Sequence, residues 1–136
     1  MKLYLDIDGV LLTAKNPQAA DGVAEFVEFI TDHFDCYWLT THCQGDTATA
    51  LNYLSEYFDR ATMTRLQTIK PTRWRTLKTE AIDLHSRFVW LDDYAMTAER
   101  AVLERHGLSA SLITVDLKQQ NQLMKIAENI EKLLSQ

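Results

Sequence analysis

Short apolar runs and longer stretches of helical spacing alternate along this chain of 136 residues. Apolar runs with little polar interruption predict buried strands, and they occupy residues 3–7, 36–39, 87–91 and 111–115. Apolar residues three or four positions apart predict helices with one buried face, and these cover 23–34, 46–58, 97–106 and 121–134. Strands that alternate with helices in this way are typical of an α/β protein with a mainly parallel sheet.

Two boundaries in this pattern are less regular. The first helix begins after either Pro17 or Asp21, since both residue types are typical of a helix start. Residues 60–69 have no clear period, and we expect a short strand around Met63 to Leu66. Pro71 opens a predicted third helix that runs to about residue 84. Together these elements predict a single Rossmann-like domain of three layers over residues 1–136.

The composition is that of a soluble globular protein, with 46% hydrophobic and 24% charged residues. No apolar run approaches the roughly 20 residues that a membrane-spanning helix needs. The residues after Met1 lead directly into the first strand without a signal-peptide pattern. Cys36 and Cys43 lack the Cys-x-x-Cys spacing of a metal site. We therefore expect a cytoplasmic protein that makes no membrane contact.

The charge is unevenly distributed along the chain. A net charge of −5 argues against indiscriminate nucleic-acid binding. Residues 60–79 nevertheless contain no acidic residue, and their six basic ones are Arg60, Arg65, Lys70, Arg73, Arg75 and Lys78. This segment is either an attractor for an anionic substrate or simply a solvated basic surface.

Two carboxylates stand at the end of the first predicted strand. Asp6 and Asp8 are two residues apart, so continuation of the strand would point both side chains the same way. Adjacent like charges are costly unless a cation or a shared proton offsets them. Gly9 follows, as a sharp turn requires. The string is either a plain turn or the start of an active site.

Polar side chains also follow two later strands. They are Thr40, Thr41 and His42 after the second strand, and Asp92 and Asp93 after the strand at 87–91. The carboxyl ends of parallel strands meet at one edge of the sheet, where ligands of α/β proteins bind. The sequence therefore predicts that these groups converge with Asp6 and Asp8 in one site.

Three strings of residues carry a family resemblance. Residues 6–11 are Asp-Ile-Asp-Gly-Val-Leu, residues 37–40 are Tyr-Trp-Leu-Thr, and residues 89–93 are Val-Trp-Leu-Asp-Asp. In this order, with a lysine upstream of the last, they resemble the four motifs of the haloacid dehalogenase (HAD) superfamily, most of whose members are phosphatases. The match is closer to small members without a cap domain, including the HAD domains of the Swiss Army Knife RNA-repair group, which have similar Trp-x-Asp-Asp endings.

The resemblance implies a role for each of these residues. Asp6 is expected to be the nucleophile that forms an aspartyl-phosphate, and Asp8 the general acid and base. Thr40 is expected to hydrogen-bond a phosphoryl oxygen, whose charge a lysine balances. Mg²⁺ is the implied cofactor, held by Asp6, by the backbone carbonyl of Asp8, and by Asp92 or Asp93.

Lys78 and Lys70 compete for the lysine position. At about 100° per residue in the predicted third helix, Lys78 lies about 40° from Trp74 and inside the apolar arc. A lysine is rarely buried unless it is paired, and the carboxylates offer partners. Otherwise its stem packs while its ammonium reaches water. Lys70 precedes a proline, is expected in an extended loop, and is assigned with Thr41 and His42 to substrate contacts, although His42 also fits an ordinary loop residue.

We therefore expect a magnesium-dependent phosphomonoester hydrolase. No cap domain is expected, because the segments from Asp8 to Thr40 and from Thr40 to Lys70 are each only about thirty residues long and too short to hold one. Two other functions are compatible with the residues: a binding protein that has lost turnover, and a receiver domain that accepts a phosphoryl group. A receiver would carry its acid pair after the first strand and its phosphoryl-accepting aspartate after the third. The substrate is left open among phosphorylated metabolites, phosphoproteins and nucleic-acid ends, and so is the oligomeric state.

Overall fold

Four short strands form one sheet in the computed structural model, which describes residues 1–136. The strands are β1 (Lys2–Leu5), β2 (Asp35–Trp38), β3 (Phe88–Asp92) and β4 (Leu112–Thr114). Their order across the sheet is β2-β1-β3-β4, and every neighbouring pair is parallel. All four carboxyl ends therefore lie at one edge, and the predicted α/β class with a parallel sheet is confirmed.

Five α-helices connect or follow these strands. They are α1 (Val23–His33), α2 (Ala48–Leu54), α3 (Arg60–Leu66), α4 (Thr97–Arg105) and α5 (Gln122–Glu131). Helices α1, α2, α4 and α5 confirm those predicted at 23–34, 46–58, 97–106 and 121–134. Each of the four has a periodic apolar face in the sequence, which is why it could be predicted. The first helix begins after Gly22, a left-handed residue with φ of 74°, one position beyond Asp21. No helix is long and apolar enough to span a bilayer.

The strand residues alternate between the two faces of the sheet, as the pleat requires. Leu3 and Leu5 belong to the larger apolar cluster, which includes residues of α1 and α5. Tyr4 and Trp90 belong to the smaller cluster on the other face, together with Leu103 of α4. Elements on both faces of one sheet give the expected three-layer, Rossmann-like arrangement.

The strand predicted around Met63 to Leu66 is wrong, because these residues lie in α3. The side chain of Asp59 accepts a hydrogen bond of 2.8 Å from the backbone amide of Thr62, which satisfies an amide at the start of the helix. Thr62 and Leu66 are both buried, and their spacing of four residues is that of one helix face.

The third helix predicted from Pro71 is also wrong. This segment is irregular except for a 3₁₀ turn at Lys78–Ala81. The carboxylate of Glu80 accepts hydrogen bonds from the backbone amides of Arg75, Thr76 and Leu77. These contacts stabilise a loop that folds around Glu80, where a helix would have used the amides in its own ladder.

Candidate active site

The register of the sheet brings Asp6 and Asp92 together. Leu5 pairs with Leu91, and the amide of Asp6 donates to the carbonyl of Leu91 at 3.1 Å. Asp6 and Asp92 each come one residue after this pair, on neighbouring parallel strands. Their meeting is therefore a consequence of strand pairing.

Asp93 joins them to form a group that we call the carboxylate cluster: Asp6, Asp92 and Asp93. One carboxylate oxygen from each lies within 4.8 Å of the others. Asp92 is 2% exposed and Asp6 is 9% exposed, whereas Asp93 lies at the surface. Asp92 is held in place by donors from the indole Nε1 of Trp90 and the amide of Tyr94, both at 3.2 Å.

Lys78 supplies the positive charge at this cluster. Its ammonium Nζ lies 2.7 Å from Asp92 and 3.5 Å from Asp6. The helical-wheel reason given for its position is wrong, because residues 72–77 form no helix, yet the side chain reaches the carboxylates. The backbone of Lys78 is held by a buried carboxylate on α4. Glu99 accepts hydrogen bonds from the amide of Lys78 at 2.6 Å and from the amide of Met96 at 2.8 Å.

The sequence patterns did not single out Glu99. An acidic residue on an amphipathic helix is usually solvated, but this one is 2% exposed. The only local signal is that Glu99 stands two residues after the first residue of α4, where a side chain can reach back to a backbone amide.

The pKa values of the cluster follow from burial and crowding. Burial, reinforced by the charge of Asp92, raises the pKa of Asp6 to about 8, although Lys78 opposes the shift. Burial and the hydrogen bond and charge of Asp92 also raise the pKa of Asp93. Burial acts to lower the pKa of Lys78, but the charges of Asp6 and Asp92 outweigh it and hold this pKa above its ordinary value.

The donor set of the cluster suits a divalent cation. Three carboxylates against the one ammonium of Lys78 leave an excess of two negative charges when all are ionised. Mg²⁺ prefers hard oxygen ligands and commonly binds through one or two carboxylates and several waters. Asp6, Asp92 and Asp93 therefore fit the predicted Mg²⁺ and could hold it between them.

Asp8 lies outside this cluster, although the strand rule predicted that it would point the same way as Asp6. The rule does not apply, because β1 ends at Leu5 and the following residues form a turn. The Asp8 side chain is 42% exposed and contacts His42 Nε2 and the Tyr53 hydroxyl, each at 2.8 Å. Burial and the bond to Asp8 raise the pKa of Tyr53 to about 12, so its hydroxyl is a donor at neutral pH.

The other predicted residues divide between the site and its surroundings. Thr40 is buried just beyond the end of β2, and its hydroxyl accepts from the amide of His42 at 3.3 Å. Thr41 is exposed beside it. Lys70 is placed elsewhere: it bonds to Asp35 at 2.8 Å, and Asp35 begins β2 at the opposite edge of the sheet.

Gly9 gives the carboxylate cluster its space. Its φ of 83° is in the left-handed region, and a methyl group added there would collide with the carboxyl group of Asp93. Asp93 therefore reaches the cluster only because residue 9 has no side chain.

Comparison of the chain with family models, with curated proteins and with solved structures gives no match.

Gly9→Ala should weaken Mg²⁺ binding because the new methyl group displaces Asp93. Gly22→Ala is the matched control, since Gly22 is also left-handed but has no atom within 4 Å of such a methyl group. Both variants should lose about 1 kcal/mol or more of stability through backbone strain. Titration calorimetry should find weaker Mg²⁺ binding only in Gly9→Ala, and equal affinities in both variants would contradict the assignment of Asp93.

The raised pKa of Asp6 predicts a specific pH dependence. Between its ordinary value of 3.8 and about 8, the native carboxyl group holds a proton that the unfolded chain releases. This contribution to stability therefore falls as the pH rises through that range. Mg²⁺ needs the ionised carboxylate, so its stabilising effect should grow as the pH passes about 8.

Melting temperatures of metal-free and Mg²⁺-loaded protein at pH 6 and pH 9 test both expectations. Asp6→Asn mimics the protonated group, so it should gain stability relative to the wild type as the pH rises and should respond less to Mg²⁺. Asp21→Asn, a change at an exposed aspartate, should behave as the wild type does. An undiminished Mg²⁺ response in Asp6→Asn would exclude Asp6 as a ligand.

Proposed function

We propose that this protein is a magnesium-dependent phosphomonoester hydrolase of the HAD type. The observation that carries the proposal is that Asp6 and Asp8, two residues apart in the sequence, have different surroundings. Asp6 is buried, with the Lys78 ammonium at 3.5 Å, whereas Asp8 lies outside the carboxylate cluster and its side chain is 42% exposed. A nucleophile and a separate acid–base group are what two-step phosphoryl transfer requires.

In the first step, a carboxylate oxygen of Asp6 attacks the phosphorus atom of the substrate. Asp6 begins this step ionised and Asp8 begins it protonated. The new O–P bond forms as the ester O–P bond breaks, and the leaving oxygen takes the proton of the Asp8 carboxyl group, which leaves Asp8 ionised. The products of this step are an alcohol and an aspartyl-phosphate on Asp6.

In the second step, Asp8 accepts a proton from a water molecule as that water attacks the same phosphorus atom. The O–P bond to Asp6 breaks, inorganic phosphate forms, and both carboxyl groups return to their starting states. Asp8 is 42% exposed, so water and a leaving alcohol can both reach it.

Thr40 and Lys78 stabilise the transferred group. The Thr40 hydroxyl accepts from a backbone amide, which leaves its own hydrogen free to donate to a phosphoryl oxygen. The Lys78 ammonium offsets negative charge that develops in the transition state. A bound Mg²⁺ would supply further charge neutralisation for the phosphoryl oxygens.

The Asp93 side of the carboxylate cluster borders a cleft, and we propose this cleft as the entrance for a phosphorylated substrate. A cleft of about 690 Å³ opens beside Gly9 and Asp93, and Lys15 and Lys118 also line it. We propose that no cap covers the cleft, so that either a small molecule or the phosphorylated end of a macromolecule can enter.

Two buried, unpaired cysteines support a reducing, cytoplasmic location.

A receiver domain is the second candidate. The sequence predicted a strand at 63–66, which would have made the strand before Asp93 the fourth in the chain. Residues 63–66 are helical, so the strand that ends at Asp92 is the third, β3. The third strand is where a receiver carries its phosphoryl-accepting aspartate. Asp8 favours the hydrolase, because an exposed carboxylate two residues after Asp6 can activate the water that hydrolyses the acyl-phosphate.

The hydrolase should release phosphate repeatedly from an aryl phosphate in the presence of Mg²⁺. Asp6→Asn should abolish release, because the amide is not a nucleophile, and Asp21→Asn should have no effect. Phosphate release measured against enzyme concentration decides between the candidates. A single turnover that leaves a stable acyl-phosphate would favour a receiver, and inactivity with every phosphoester and divalent cation would favour a binding protein.

Lys78→Ala should lower kcat by roughly 100-fold or more, since a group that offsets transition-state charge contributes on this scale. Lys70→Ala is the matched control, because Lys70 is 56% exposed and bonds to Asp35 away from the cluster. It should retain most of the wild-type rate. Steady-state kinetics of the two variants decide the point, and a larger loss in Lys70→Ala would contradict the site.

A further inference from the structure

Both oxygens of the Asp8 carboxylate are engaged by aromatic side chains. The Tyr53 hydroxyl donates to Oδ1 at 2.8 Å, and His42 Nε2 lies 2.8 Å from Oδ2. Two contacts on different oxygens restrict rotation of the side chain more than one contact does. The orientation of Asp8 is thus defined by groups outside the carboxylate cluster.

These two side chains also support each other. The ring of His42 stacks on the ring of Tyr53, with centroids 4.2 Å apart and an interplanar angle of 15°. Tyr53 in turn contacts the ring of Tyr57 in an edge arrangement, at 5.7 Å and 70°. His42 comes from the loop after β2 and Tyr53 from α2, so two separate segments fix one carboxylate.

We propose that Tyr53 and His42 are positioning residues for Asp8, which hold its carboxylate beside the leaving oxygen of the substrate. The proposal rests on the assignment of Asp8 as general acid and base. A carboxylate oxygen can accept more than one hydrogen bond, so these contacts leave room for the proton that Asp8 exchanges with the leaving group. A catalytic acid held in its working orientation avoids the entropy cost of finding it in each turnover.

The dependence of rate on the leaving group separates positioning from a purely structural role. An alkyl phosphate needs a proton on its leaving oxygen, whereas an aryl phosphate with a strongly acidic phenol needs little assistance. A variant that merely loosens the fold lowers the rate for both substrates. A variant that misplaces Asp8 lowers the rate mainly for the alkyl phosphate.

Tyr53→Phe removes only the hydroxyl group, and Tyr57→Phe is the matched control, because Tyr57 makes no bond to Asp8. In Tyr53→Phe, kcat/KM should fall roughly 10- to 100-fold for the alkyl phosphate, part of the roughly 10²–10⁴-fold that a general acid contributes. The value for the aryl phosphate should change by less than about 3-fold on the same scale. Tyr57→Phe should leave both values near those of the wild type.

Two further variants complete the test. His42→Gln keeps an amide group, which can either donate or accept, near the position of Nε2, and it should retain more alkyl-phosphate activity than His42→Ala. In an Asp8→Asn background, addition of Tyr53→Phe should cause no further selective loss, because the group that it positions is gone.

Equal losses on both substrates in Tyr53→Phe, or a selective loss that persists in the Asp8→Asn background, would overturn the positioning role and leave the hydrolase assignment intact. A wild-type protein that hydrolyses neither phosphate would overturn the hydrolase assignment and this inference with it.

Discussion

Mutual repulsion among three carboxylates is the constraint on which the rest of this site depends. Strand pairing places Asp6 next to Asp92, and the absence of a side chain at Gly9 leaves space for Asp93. Asp92 is only 2% exposed, so little solvent remains beside it to screen the charges. The fold therefore has to provide compensation close by, and it does so with the Lys78 ammonium and with donors to Asp92.

The segment before β3, which supplies Lys78, is a loop because carboxylates bind its backbone amides. A regular helix from Pro71 would have used its amides internally, but here Glu80 and Glu99 accept them. Glu80 folds the residues before Lys78, and Glu99 fixes the amide of Lys78 itself. Lys78 therefore reaches the cluster from a loop whose backbone amides are bonded by Glu80, within the loop, and by Glu99 of α4.

Most of the sheet and the site edge could be predicted from the sequence, because both follow from local patterns. The apolar runs and the helical periods are properties of neighbouring residues, and parallel strands bring Asp6, Thr40 and Asp92 to one edge by geometry alone. The errors at 63–66 and 71–84 have a different origin. One depends on the cap from Asp59, which outweighs a weak strand pattern, and the other on contacts of Glu80 and Glu99 with backbone amides.

The partners of Asp8 were beyond the reach of sequence patterns for a related reason. Tyr53 lies 45 positions further along the chain, in no recognisable motif, and only the packing of α2 against the loop after β2 brings its hydroxyl to Asp8. His42 was noticed because it follows Thr40, but its stacking on Tyr53 is a tertiary contact. Sequence patterns thus located Asp6, Asp8 and Thr40, whereas the side chains that contact Asp8 are brought to it only by the folded structure.

The buried carboxylate of Glu99 also has a mechanical consequence. It joins the segment before β3, through Lys78, to the segment after β3, through Met96. If either segment moved outward alone, the bond between Glu99 and the Lys78 amide would break and this buried carboxylate would lose one of its two donors. The two segments that flank β3 should therefore open and close as one unit, and local unfolding of this half of the site should be a single cooperative event.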